Sequence, residues 1–280
     1  MKKKALAAAV LLVVFLCLTA WIIQNNTALE LTAYTIKSER MPEAFEGYRI
    51  AQVSDLHNAQ LGNQNETLLA MLKKAEPNMI AITGDLVDSR NTDIEIALQF
   101  AHDAVQIAPC YYVTGNHESR ISEYEELKAG LEALGVTVLE NMCIEIECNG
   151  ESIALAGVDD PAFQTDQLLG DAAARIQRNL EPLVNQEHYT VLLSHRPELF
   201  AVYVQHGVDL VLAGHAHGGQ FRLPVVGGIY APGQGFFPVF DAGVYTENAT
   251  NMVVSRGIGN SIFPFRINNR PELVLIELMH

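Results

Sequence analysis

Five short clusters along the chain hold side chains that can bind metal or move protons. They are Ser54-Asp55-Leu56-His57, Gly84-Asp85, Gly115-Asn116-His117-Glu118, Ser194-His195 and Gly214-His215-Ala216-His217. Each follows within one residue of a short apolar run: Ile50–Val53, Met79–Ile82, Tyr111–Val113, Val191–Leu193 and Leu210–Ala213. These runs are too short for a typical helix and rich in Val, Ile or Tyr, which reads as buried strands. In open α/β sheets, ligands gather at the carboxyl ends of strands, where loops leave a rigid scaffold. Carboxylate, amide and imidazole donors without thiolates suit Mn, Fe or Zn better than they suit a structural zinc finger. Each fragment alone has a plain reading as a turn, a helix cap or a hydrogen-bonded histidine. Five strand ends carrying ligand types together make convergence on one rim the expectation.

The elements that must position them follow from the hydrophobic pattern. Leu29 to Ser38 alternates apolar and polar residues as an edge-like strand would, and Ile153–Ala156 is a further apolar run. Helical patterns lie between the runs, at Glu66–Ala75, Thr92–Ile107, Ser122–Leu134, Asp166–Leu180 and Glu198–His206. Thr92 with Glu95, and Ser122 with Glu125, have the spacing of a capping box. The last third adds strands near Met252–Ser255 and Leu273–Leu278, with a Gly/Pro-rich stretch from Pro224 to Pro238 between. With 280 residues, 49% hydrophobic, and no linker or internal repeat, the chain is expected to fold as one layered α/β domain over residues 29–280.

Residues 1–28 are expected to be an anchor. Ala5 to Ile23 carries no charge and is long enough to cross a bilayer as a helix, at about twenty residues. Lys2, Lys3 and Lys4 precede it and Trp21 lies near its far end, which places the N-terminus in the cytoplasm and the remainder outside. A cleavable signal peptide is the competing reading, although Leu18-Thr19-Ala20 offers only one small residue where cleavage wants two. The formal net charge is −15, and those three lysines are the only dense basic cluster. Such an acidic body is repelled by nucleic-acid backbones, so no nucleic-acid partner is expected. Cys110, Cys143 and Cys148 remain outside the apolar run, an odd number with no CxxC pair, which gives no disulfide framework.

The ordered series DxH, GDxxD, GNHE, H and GHxH from Asp55 to His217 resembles the calcineurin-like metallophosphoesterase superfamily. Gly218-Gly219-Gln220, Ser255-Arg256-Gly257-Ile258-Gly259 and Arg270-Pro271-Glu272 resemble a bacterial membrane-anchored branch of it, with proteins similar to UDP-2,3-diacylglucosamine hydrolases and cell-envelope phosphodiesterases. The resemblance implies a four-layer α/β-β/α sandwich behind one transmembrane helix. It implies that Asp55, His57 and His217 hold one metal ion, that Asn116, His195 and His215 hold a second, and that Asp85 bridges them. Two such ions would lower the pKa of a shared water and clamp an in-line displacement. His117 would protonate the leaving oxygen or stabilise its charge. Asp88 would orient a ligand or a loop, or cap a helix, and Glu118 would steer His117 or occupy the next turn. Asn58 and Arg222 stand beside ligands in sequence and could reach the substrate phosphate. Purple acid phosphatases have a ligand tyrosine where this chain has Asp88, which argues against their iron site.

The expected activity is hydrolysis of a phosphodiester or pyrophosphate, on a lipid-linked or cell-envelope substrate outside the cytoplasmic membrane. A phosphomonoesterase with the same metals and a catalytically inert anchored binding protein are the rivals. A nuclease is disfavoured by the acidity. The diester preference rests on there being few arginines near the motifs, Arg222 and Arg256 being the two in view.

Overall fold

The strands are buried on both faces, so each sheet needs cover on two sides. In β2 (Arg49–Val53) Ile50 joins one apolar cluster while Ala51 and Val53 join another. The computed structural model describes residues 2–164, 170–185, 187–260 and 263–280. Its remaining long strands are β1 (Glu30–Lys37), β3 (Met79–Thr83), β4 (Cys110–Val113), β5 (Thr137–Val138), β6 (Met142–Cys148), β7 (Glu151–Gly157), β8 (Thr190–Leu193) and β9 (Leu210–Ala213). Short pieces follow, β10 (Arg222–Leu223), β11 (Gly227–Gly228), β12 (Tyr230–Ala231) and β13 (Gly235–Phe236). β14 (Gly243–Glu247), β15 (Thr250–Val254) and β16 (Glu272–Met279) complete the set.

Two six-stranded sheets result, ordered β1-β16-β2-β3-β4-β5 and β14-β15-β9-β8-β7-β6. Pairing is parallel from β2 to β5 and from β15 through β9 and β8 to β7, with antiparallel joins at β16–β2, β14–β15 and β6–β7. Ile50, Met79, Ala81, Leu155, Val191, Leu193 and Leu210 fill the space between the sheets. On the outer face of the first, α2 (Glu66–Ala75), α3 (Ile94–Ala104) and α4 (Tyr124–Ala133) bury Leu72, Phe100 and Leu131. On the outer face of the second, α5 (Ala172–Leu180) and α6 (Phe200–Gln205) bury Ile176, Leu180, Phe200 and Tyr203. The fold is the expected helix–sheet–sheet–helix sandwich.

One polar tie crosses the apolar seam. The amide of Gln52, fully buried, donates to Thr83 Oγ1 at 3.1 Å and to the Ala213 carbonyl at 2.9 Å. It fixes the ends of β2 and β3 against the end of β9, so the loops that follow them face one another. Cys143 and Cys148 both lie in β6.

Neither expected capping box forms. Asp93 caps α3, accepting from the Glu95 amide, because it directly precedes the first helical residue, while Thr92 donates to the Asp88 carbonyl. Ser122 donates to Glu123, and α4 starts at Tyr124 without a side-chain cap. α5 begins at Ala172 behind an Asp171 cap, whereas residues 166–169 of the expected helix lie outside the described residues.

The first helix, α1 (Lys2–Thr27), contains a stretch, Ala9–Thr27, long and apolar enough to cross a membrane, with a mean hydropathy of 1.9. Its last turn is polar and docked. Asn25 is buried, and Asn26 accepts from the Arg266 amide at 2.7 Å while donating to the Arg266 carbonyl at 3.2 Å.

Phe100 packs at 0% exposure in the outer cluster of the first sheet. Phe100→Ala is expected to cost about 3–5 kcal/mol by lost transfer energy and a residual cavity. An unchanged denaturation midpoint for this variant would contradict that packing.

Candidate metal centre

The loops after β2, β3, β8 and β9 bring their donors to the seam between the sheets. Asp55, His57, Asp85 and His217 each offer an atom within 4.8 Å of the others, and Asp85, His195 and His215 form a second such group. Asp85 is common to both. Its Oδ2 lies 3.6 Å from His57 Nε2 on one side and 3.2 Å from His195 Nε2 on the other. Asp55 Oδ1 stands 3.2 Å from His217 Nε2. All are buried.

Several observations fit these donors to two cations. His57 Nε2 and His217 Nε2 approach to 3.1 Å, and His195 Nε2 and His215 Nδ1 to 3.2 Å, so either a proton or a cation must lie between the nitrogens. Asn116 Oδ1 is buried without a hydrogen-bond partner, and Asn116 lines the same cleft as Asp85 and His215. His195 Nδ1 meets the Thr83 carbonyl at 2.8 Å, which puts the ring proton there and turns the Nε2 lone pair inward.

The backbone is bent to make this possible. Asp55, His57, Asp85, His215 and His217 all have φ between 47° and 66°, a left-handed conformation that costs a non-glycine residue about 1–2 kcal/mol. Such strain persists only where surrounding bonds over-determine it. Glu118 supplies several: fully buried, it accepts from the amides of Asp85, Leu86 and Gly115 at 3.1, 2.8 and 2.8 Å. It therefore braces the Asp85 loop and does not steer His117. Two glycines permit the close approach. A Cβ on Gly115 would lie 2.3 Å from Asp85 Oδ1, and one on Gly214 would lie 2.0 Å from Ser54 Oγ and 2.5 Å from Asp55 Oδ2.

Burial and mutual charge sort the protonation states. Burial pushes Asp55 up to about 6. Burial pushes Asp85 upward too, but His195, His57 and His117 together outweigh it and hold the carboxyl well below the usual range. Desolvation drives His57 down to about 4, and His215 and His217 well below the usual imidazole range, which leaves neutral rings able to ligate. Burial disfavours charge on His195 as well, yet Asp85 and Asp55 draw it up to about 10. The pocket demands positive charge between its carboxylates.

The cleft that opens on these groups has a volume of about 260 Å³ and is lined by Asp85, Asn116, His117, His215 and His217 with Arg120, Arg196, Pro232 and Gly233. His117 Nδ1 accepts from the Ser89 amide at 3.0 Å and stands 3.5 Å from Asp88 Oδ1, so the neutral ring carries its proton on Nε2. Asp88 also binds Arg90 through both carboxylate oxygens, holding the loop after β3. Asn58 and Arg222 are engaged elsewhere. Asn58 donates to the Asn91 carbonyl, and Arg222 to the Gly218 carbonyl and Asp241, and neither lines the cleft.

The two cleft arginines escaped the sequence reading, although Arg196 follows His195 directly and Arg120 lies three residues past His117. Arg196 is clamped by both oxygens of buried Asp160, approaches Glu198 at 3.5 Å, and donates through Nη1 to His215 Nε2 at 2.9 Å. That last bond places the proton of neutral His215 on Nδ1, so a cation taken by Nδ1 competes with the Arg196–His215 contact. Adjacency to a ligand was the available signal. The segment Ser255–Gly259 lies behind Asp55, with the Gly259 amide donating to the Asp55 carbonyl at 2.7 Å and Glu272 accepting from the Arg256 amide at 2.9 Å.

Residues 48–219 match the family model described as calcineurin-like phosphoesterase. A Bacillus subtilis (strain 168) protein named "Uncharacterized metallophosphoesterase YkuE" is 30% identical over 257 residues, covering 89% of this chain and 85% of its own. A Bos taurus "Transmembrane protein with metallophosphoesterase domain" is 29% identical over 88% of this chain, which spans only 56% of that protein. The Escherichia coli (strain K12) "Phosphodiesterase YaeI" is 28% identical over 83% of this chain and 82% of its own.

Because Asp85 belongs to both donor groups, Asp85→Asn is expected to lower total metal content and nearly abolish phosphoester turnover while the circular dichroism of the fold persists. A variant that keeps its full metal complement and its rate would refute the shared position. Gly214→Ala should act similarly by displacing Asp55, and intact metal content there would show that the loop relaxes around the added methyl.

Proposed function

The chain belongs to the calcineurin-like phosphoesterase family and is a metal-dependent phosphoester hydrolase; we propose that it cleaves a phosphodiester or pyrophosphate at the Asp85 cleft. The observation that carries this reading is the carboxylate shared by two donor groups. In it Asp55, His57 and His217 would hold one ion and Asn116, His195 and His215 the other, with Asp85 within reach of both groups. Mn, Fe or Zn would accept this mixture of carboxylate, amide and imidazole. When bound, such a pair supplies a water nucleophile of lowered pKa and neutralises charge on the phosphoryl oxygens.

The protein groups divide the remaining work. His117, neutral and protonated on Nε2, donates a hydrogen bond to the leaving oxygen, and burial, which lowers its pKa, keeps it in that form. The Ser89 amide at Nδ1 sets the tautomer. Arg120 and Arg196 line the wall against which the phosphate rests.

A phosphomonoesterase is the second reading, favoured by those same two arginines, because a dianion calls for more cationic contact. Against it, the charge of Arg196 is already met by Asp160 and Glu198, which leaves Arg120 as the cleft arginine without such a clamp among the described residues. A mono-anionic diester or pyrophosphate fits that balance, and a relative named as a phosphodiesterase supports it.

The protein is anchored by α1 with the catalytic body outside the cytoplasm. Lys2–Lys4 ahead of the apolar stretch supply the orientation, and a relative named as a transmembrane protein supports the anchor. The docking of Asn25 and Asn26 onto the body favours retention of the helix over its removal as a signal peptide.

His117→Ala should leave metal stoichiometry intact and lower kcat by about 10²- to 10⁴-fold for poor leaving groups, with a smaller loss for nitrophenolate. Metal loss, or an equal defect for all leaving groups, would remove His117 from this role. For the Mn-loaded protein, kcat/KM for bis-nitrophenyl phosphate should exceed that for the monoester after correction for intrinsic reactivity. A monoester preference at every metal loading would install the second reading. The intact protein should also fractionate with membranes and be cleaved by protease added outside the cell. Recovery as a shortened soluble species would restore the signal-peptide reading.

A further inference from the structure

The acid of this chain is unevenly distributed. Against a net charge of −15, no carboxylate occurs from Leu210 to Phe240 or from Asn248 to Pro271. The structure brings these two segments together. Phe221 bridges to Ile267, the Arg222 amide donates to the Ile267 carbonyl at 3.0 Å, and Gln220 donates to the carbonyls of Phe263 and Phe265. Their shared surface is apolar and exposed: Leu223, Val225 and Val226 at the β10–β11 tip, Phe236 and Phe237 in and beside β13, and Phe263. Val225 is fully exposed at 108% and Phe236 at 73%, values that an aqueous surface has no reason to concentrate in one place.

This face adjoins the anchor. Arg266, between Phe265 and Ile267, is the residue whose amide and carbonyl both bond Asn26 in the last turn of α1. Only Ala28 and Leu29 separate α1 from β1 at Glu30. The apolar face therefore stands where the membrane-crossing helix leaves the bilayer, and it is the acid-free part of a body that anionic lipid otherwise repels. It also opens inward. Phe221, Ile229, Tyr230, Phe236 and Phe263 line a cavity of about 380 Å³, and the β12–β13 hairpin that contributes Tyr230 and Phe236 sends its turn, Pro232-Gly233, into the wall of the catalytic cleft. Phe221 is four residues from His217, a separation of at most about 14 Å.

We propose that this face lies in the bilayer interface beside α1 and that its cavity receives an acyl chain of a membrane lipid, so that the cleft takes an acyl-bearing phosphoester from the plane of the membrane. The proposal rests on the anchored-hydrolase reading above and names its substrate class. Trp21 is the only tryptophan, so Trp21→Phe gives a silent background in the full-length chain. Single reporters are then placed at Val226→Trp on the rim, at Phe236→Trp at the cavity, and at exposed Glu147→Trp on β6, the far edge of the second sheet.

In phosphatidylglycerol–phosphatidylcholine vesicles carrying acyl-brominated phosphatidylcholine, the first two reporters should lose most of their emission, shift to the blue and become shielded from iodide. The β6 reporter should remain open to iodide and untouched by bromolipid. Iodide access and bromolipid indifference at both Val226→Trp and Phe236→Trp would overturn the proposal, and Tyr230→Trp takes the cavity position if Phe236→Trp misfolds. Quenching confined to Val226→Trp would leave the rim in the interface and overturn the acyl site. Hydrolysis of bis-nitrophenyl phosphate by the same vesicles reports the hydrolase reading independently, since the quenching needs no turnover.

Discussion

Two carboxylates, Asp55 and Asp85, stand out of water at the seam of two sheets. An isolated buried charge is too costly to keep, so such groups are paired, protonated or bound to metal. Much of the surrounding structure answers that constraint. Asp55 takes the His215 amide and the Ser54 hydroxyl, and Asp85 takes the His117 amide. The histidines around them are desolvated into neutral rings able to ligate, except His195, which the carboxylates pull toward the charged form. The resulting site calls for cations, and family membership states which chemistry they serve.

Holding the two carboxylates in place consumes conformational energy. Five of the donor residues adopt left-handed backbone angles, and the loops that bear them come close enough that a methyl on Gly115 or Gly214 would collide with a carboxylate. Rigid sheets on either side make that strain sustainable. Gln52 locks β2 and β3 against β9 immediately before the strained loops begin, and Glu118 bonds the loop after β3 from beneath. The helices outside the sheets carry none of the candidate ligands; they cover the sheets' outer apolar faces.

The junctions between strands and candidate ligands were legible in the sequence because a buried parallel strand writes itself as a short unbroken apolar run, and the polar residue that follows it is conspicuous. The alternation of strand and helix patterns pointed to a layered α/β domain, and the four-layer order came with the family resemblance. Helix caps were less legible: Thr92 and Asp93 are both competent, and only the local chain direction selects Asp93. Cleft arginines were missed for a related reason. Proximity in sequence pointed to Arg222, but its guanidinium is turned to Asp241 and Gly218, whereas Arg196 reaches the cleft because Asp160, from the loop after β7, fixes it there. A role that depends on a partner 36 residues away leaves no local pattern.

The segment from Ser255 to Glu272 illustrates how a motif with no ligand in it can still bear on the site. Arg266 is wholly buried and burial lowers its pKa to about 10, a cost accepted because its guanidinium bonds the carbonyls of Arg256 and Gly259. Gly259 in turn donates to the Asp55 carbonyl, while the Arg266 backbone is held by Asn26 at the end of α1. A continuous set of contacts thus runs from the end of α1 to the backbone of Asp55. A flexible linker would let the body move freely about α1, whereas two residues and a docked helix end hold the two together. The buried arginine gains little stability in such a position, since replacing buried ion contacts by apolar packing is often neutral or better. What it contributes is a fixed spatial relation between α1, the acid-free face and the cleft, and the proposed route from the membrane plane depends on that relation.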